Sequence, residues 1–112
     1  MIGNLRFKKT QVFKATHHYK AVEQKVAAEF ERYLEENFDL TVMERQICVF
    51  LGNHNSREDV MRLLNLRTEA MKFHLKNIYA KLLPENITSR DKLHRLAILL
   101  WRIREKIRKN YA

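Results

Sequence analysis

An all-α fold with a helix-turn-helix at its centre is what this sequence predicts, on three observations. The 112 residues include only two glycines and one proline, so little opposes helix formation. Apolar side chains recur at steps of three and four through most of the chain, which is the spacing of one helix face. Between residues 57 and 82, two such periods flank a short pause at Asn65, Leu66 and Arg67. The length suits one domain, and a hydrophobic content of 46% supplies a packed core.

The first element is a long helix over 14–37. Its stripe is Ala15, Tyr19, Val22, Val26, Phe30, Tyr33 and Leu34, with Lys20, Lys25, Glu31 and Glu35 opposite. Asn37 and Asp39 end it. Thr41 or Asp39 then caps a second helix, about 42–51, with Glu44 placed to complete a capping box if Thr41 is the cap residue. Ile47, Cys48, Phe50 and Leu51 form its buried side, and the Gly52–Asn55 segment closes it, with Gly52 and the asparagines suited to left-handed backbone. Ser56, an N-cap residue with a capping-box acid, Asp59, at its third position, starts a third helix, 57–64, turning Val60, Leu63 and Leu64 inward. Asn65 makes the turn, because Asn tolerates positive φ better than most residues.

The fourth helix, 68–82, buries Met71, Leu75, Ile78, Tyr79 and Leu82, and Pro84 stops it. The last begins after Ser89, where Leu93, Leu96, Leu100, Ile103 and Ile107 alternate steps of three and four, widened by Ala97 and Trp101. That stripe exceeds what a three-helix core requires. It pairs either with helix 14–37 or with a second chain. The chain accordingly divides into an N-terminal arm and helix, 1–39, and a domain over 40–112 with a long C-terminal helix.

The charge points to an anionic partner. The formal net charge is +9, and it is divided unevenly. Residues 1–39 carry seven basic and six acidic side chains, net +1, whereas 40–112 carry fifteen and seven, net +8. No signal peptide and no membrane-length apolar segment is visible, and the single cysteine, Cys48, excludes an intrachain disulfide. A soluble, cytoplasmic protein is the expectation. His17, His18, His54, His74 and His94 form no metal-ligand spacing with Cys48, and no glycine-rich phosphate loop occurs. Neither an enzyme nor a cofactor is therefore expected.

Two short helices about a turn, the second amphipathic and basic, describe a helix-turn-helix. With Met71, Leu75, Ile78 and Leu82 inward, the outward positions are Glu69, Lys72, Phe73, Lys76 and Lys81. A lysine ammonium reaches guanine acceptors or phosphates, and the Phe73 ring suits a thymine methyl. A solvated, solubilising face is the plainer reading of the same lysines.

From Leu40 onward the chain resembles the DNA-binding domain of LuxR-type (GerE-type) transcription regulators, over about 40–98. "LTVMERQICVF" is similar to that family's opening helix, "SREDVMRLLNL" to its scaffold helix and turn, and "AMKFHLKNIYAKL" to its recognition helix. Ser89 and Arg90 match the start of the final helix. The resemblance implies a four-helix domain, here with an extra N-terminal helix and an extended C-terminal one. It implies double-stranded DNA as partner, bound by a homodimer, with Lys72, Phe73 and Lys76 at base edges. Arg57, Asn77, Lys81 and Arg90 would lie near the backbone, and His74 at the foot of the recognition helix. Arg67, Thr68 and Glu69 would complete the surface at the start of that helix. Leu93, Leu96, Leu100, Ile103 and Ile107 would supply the dimer or partner contact.

The chain departs from the family pattern at Met43, His54, Arg67 and Ala70, where Arg, Gly, the capping Ser and Thr are usual. A lost cap costs about 0.5–2 kcal/mol unless Thr68 caps one residue later. The joint over 83–88, "LPENIT", is longer than the family's. A 39-residue N-terminal part is too short for a receiver or ligand-binding domain, so sensing within the chain is not expected. The alternative function is a helix-turn-helix-shaped module that binds a transcription factor or RNA polymerase.

Overall fold

The computed structural model of the chain describes residues 2–88 and 90–111, with side chains from residue 19 onward. Among these residues there are five helices and no strand: α1 (Ile2–Asn37), α2 (Val42–Gly52), α3 (Arg57–Leu63), α4 (Thr68–Leu82) and α5 (Lys92–Arg108), closed by a 3-10 turn over Lys109–Tyr111. The all-α class and the order of the helices are as predicted.

The first helix begins at Ile2 rather than at residue 14, since no proline interrupts the earlier residues. Ala15, His17 and His18 have side chains outside the described residues. The buried ridge of α1 is narrower than predicted. Val26, Phe30 and Leu34 are fully buried and Val22 packs beside them, all at steps of four. Tyr19 and Tyr33, expected in the stripe, are exposed. Tyr33 precedes Leu34 by one residue, roughly 100° around the helix, and its ring meets Phe38 edge-on.

Both predicted capping boxes form. The Thr41 amide donates to Glu44 Oε1 at 2.9 Å, and the Glu44 amide to Thr41 Oγ1 at 3.2 Å. The Asp59 amide donates to Ser56 Oγ at 3.1 Å, and the Ser56 amide returns to Asp59 at 3.4 Å. In α3 the inward direction lies between Val60, Met61 and Leu64. Leu63, expected inside, stands roughly 100° from that direction and is exposed. Asn65 adopts φ 54°, as predicted for the turn, and the Leu66 amide closes it on the Met61 carbonyl at 2.8 Å.

The close of α2 differs from expectation. Gly52 is still helical and has no positive φ; His54 takes the left-handed conformation, at φ 64°. Gly52 serves a different purpose, because α1 and α5 approach it closely. A Cβ there would fall 2.7 Å from Cε2 and 2.8 Å from Cζ of Phe30, and 3.4 Å from Cβ of Leu100. Cys48 lies beside this contact as a free, buried thiol, pushed up to about 12 by burial and then by the nearby Glu44 charge. Phe50, predicted to be buried, is only partly so and packs against the core from its edge.

The α5 stripe belongs to this chain's own core. Leu96 and Leu100 have no exposed surface and Ile107 is buried, with Leu93 and Ile103 packed alongside, as α5 runs against α1 and α2. The expected dimer contact is therefore corrected for Leu96, Leu100 and Ile107, which are buried within this chain against α1 and α2, whereas Leu93 and Ile103 are only partly buried. Trp101, assigned to the same stripe, is instead 40% exposed. Polar bonds fasten the α1–α5 seam. Buried Arg104 donates to Glu23 at 2.9 Å, Arg108 donates to the same carboxylate, and the Tyr111 hydroxyl donates to Glu29. Among the described residues no helix is long and apolar enough to cross a membrane.

Overpacking a filled core costs about 1–3 kcal/mol, against a gain of about 0.5–1 kcal/mol from replacing a helical glycine. Gly52→Ala is therefore expected to lower the urea midpoint by an amount equivalent to about 1–2 kcal/mol. An unchanged or raised midpoint would mean that the Phe30 ring is not held against α2.

Candidate nucleic-acid interface

Helix α4 is held from one side. Met71, Leu75 and Ile78 are buried, and Tyr79 and Leu82 pack at the margin of the core. Its other side is bare. Lys72 and Lys76 are exposed, Phe73 is 62% exposed, and Glu69 and Thr68 stand exposed in the first turn. The Phe73 ring stands edge-on to the half-buried His74 ring, with centroids 5.6 Å apart. Asn77 is half-buried. The nearest acid to Lys72 is Glu69, at 3.8 Å, with both side chains mostly in water, where such a pair holds a lysine only weakly.

The start of α4 has no side-chain cap. Arg67 occupies the N-cap position with extended backbone and makes no capping bond, and Thr68 is already the first helical residue. The expectation that Thr68 replaces the cap is therefore corrected. Its hydroxyl cannot reach the donors of the next turn as an N-cap oxygen does. Arg67 is left exposed beside α4.

Lys81 is exposed, as expected, but its ammonium is engaged by an acid of α2. Its ammonium lies 2.5 Å from Glu44 Oε1, a carboxylate with only 3% of its side chain exposed. Burial raises the Glu44 pKa, but the hydrogen bonds from Lys81 and Thr41 outweigh it and leave the group below its ordinary value. The pair ties α4 to α2, so this charge is committed within the fold.

Arg57, at the first position of α3, meets Lys72 and Lys76 along one cleft, and Arg90 is exposed in the turn before α5. Lys92, which sequence reasoning did not single out, joins that cleft from α5. Its ammonium sits 5.9 Å from the centroid of the Tyr79 ring. Burial raises the Tyr79 hydroxyl above its usual pKa against the opposing Arg57 charge, so it stays protonated at neutral pH. Only the general basic excess of 40–112 hinted at Lys92. The surface thus unites Arg57, Lys72, Phe73 and Lys76, leaves Arg67, Thr68 and Glu69 at the start of α4, and withdraws Lys81.

No protein-family model, curated protein or solved structure matches the chain.

Glu44 has a lowered pKa in the folded chain, so it adds stability that is complete above the unfolded value and is lost as pH falls. Glu44→Gln is expected to flatten the stability–pH curve below the ordinary value of 4.5. An acid limb as steep as that of the parent chain would show that another group carries it. Arg67→Ser supplies the missing cap and is expected to stabilise by about 0.5–2 kcal/mol, read as a higher urea midpoint. No gain would mean that the amides of the first turn of α4 already have other acceptors.

Proposed function

We propose that the chain is a sequence-specific, double-stranded-DNA-binding transcription regulator of the LuxR type, working in the cytoplasm with α4 in the major groove. The observation that carries this reading is the bare outer face of α4, on which two weakly held lysines flank an exposed Phe73. A helix whose other side is fixed to a core can enter a groove about 12 Å wide without rearrangement. Lys72 and Lys76 then meet guanine acceptors or phosphates, and Phe73 a thymine methyl. Arg67, Thr68 and Glu69 lie at the end of α4 that approaches the groove floor in helix-turn-helix docking. Asn77, on α4 beside Lys76, and Arg90, exposed in the turn before α5, are the backbone contacts that the resemblance implies. A homodimer, which the family resemblance implies, has to join through residues other than Leu96, Leu100 and Ile107.

A second reading, a module that binds a transcription-machinery protein, draws on a different surface. Tyr33, Leu99, Trp101 and Ile103 line an apolar groove between α1 and α5, and partly exposed aromatic residues of this kind anchor protein interfaces. Salt separates the two readings. Affinity for duplex DNA falls by about 0.9 log units per log unit of salt for each phosphate neutralised, whereas an apolar protein contact responds far less.

Selection of genomic duplex fragments by the purified chain, repeated with Lys72→Ala and Lys76→Ala, tests the proposal. Each variant is expected to lose about 1–3 kcal/mol of discrimination at the base it contacts. Unchanged sequence preference in both would remove the lysines from base reading. A partner protein bound with a shallow salt response, together with no duplex binding, would favour the second reading.

A further inference from the structure

The cleft beside α4 has a composition that reading bases does not require. Cations converge on it from three helices: Arg57 from α3, Lys72 and Lys76 from α4, and Lys92 from α5. Glu85 is the only acid in its wall. Elsewhere Arg45, Arg62, Lys81, Arg104 and Arg108 each have a carboxylate within 4.0 Å, whereas Arg67, Arg90, Arg95, Arg102, Lys106 and Lys109 have none among the described residues. What distinguishes the cleft is that four cations from three helices line one cavity. Among the described residues, Arg57, Lys76 and Lys92 have none, and Lys72 has only the exposed Glu69. Like charges gathered without counter-charges repel one another, and an anion placed among them relieves that repulsion.

We propose that this cleft is a phosphate-ester site, with Arg57 and Lys92 as its clamp and Tyr79 as its floor. Lys92 is held over the Tyr79 ring, which orients its ammonium without neutralising it. Arg57 offers a planar fork of donors suited to two phosphate oxygens. The Tyr79 hydroxyl, kept protonated, is a further donor. The volume, about 520 Å³, exceeds one phosphate group and leaves room for its sugar.

Two sources carry this chemistry, a duplex backbone and a free nucleotide. The geometry favours the backbone, because Lys72 and Lys76 belong both to the cleft and to the outer face of α4. A strand bordering a groove occupied by α4 would lie against the cleft that Arg57 and Lys92 line. This choice of source rests on the DNA-binding reading; the phosphate site itself does not.

The test measures the salt dependence of duplex binding for the full chain, for Lys92→Gln and Arg57→Gln, and for Lys109→Gln as a control outside the cleft. In parallel, ATP is titrated while the Arg57, Tyr79 and Lys92 resonances are followed by NMR. Each cleft variant is expected to lower the log–log salt slope by about 0.9 and to weaken all sequences equally, with Lys109→Gln unchanged. Duplex binding with the same slope in both cleft variants, or the same loss in the control, would overturn the clamp while leaving DNA binding in place. No duplex binding, with ATP shifting the three resonances, would uphold the phosphate site and reject the DNA reading. Neither ligand bound would overturn both.

Discussion

The edge of the Phe30 ring presses on the end of α2 at the one position, Gly52, that has no side chain, and Leu100 closes over the same spot. Three helices far apart in sequence meet there, and none could approach so closely past a methyl group. The contact sets how α1 and α5 straddle α2. Once they are set, the capping box at Thr41 positions Glu44, which reaches Lys81 and draws α4 onto α2. The orientation of the outer face of α4 is therefore a consequence of packing that begins on its far side.

Charge is divided by the fold into two populations. Arg104 and Arg108 share Glu23 across the α1–α5 seam, and Lys81 is paired with buried Glu44. Buried charges need such partners, because leaving one unpaired costs several kcal/mol. The remaining cations around α4 have water as their main neighbour, and they give that face its positive character. Four of the cations of 40–112, Arg57, Lys72, Lys76 and Lys92, are brought together in one cleft beside α4.

The two backbone positions with positive φ frame α3, at His54 before it and Asn65 after it. Asn accepts this conformation readily, whereas an imidazole at φ 64° carries a steric penalty that glycine would not. The His54 ring rests 6.1 Å from Trp101, so the α2–α3 loop also leans on α5. The uncapped start of α4 is a second local cost beside the same motif. Both costs fall at the exposed margin of the core, where neighbouring helices hold the backbone in place.

By itself the sequence determined the helices, their order and most of their ends, because periodicity, capping pairs and the lone proline act within a few residues. Met71, Leu75 and Ile78 were legible as the inner side of α4, and Lys72, Phe73 and Lys76 as its outer side, for that local reason. Which surface covers the α5 stripe was not legible, since the same alternation of leucine and isoleucine packs equally well on α1 or on a second chain. Nor was the fate of Lys81, the approach of Lys92 to Arg57, or the reason for Gly52. Each depends on residues dozens of positions apart, and only the tertiary packing of the helices on one another decides which of them meet.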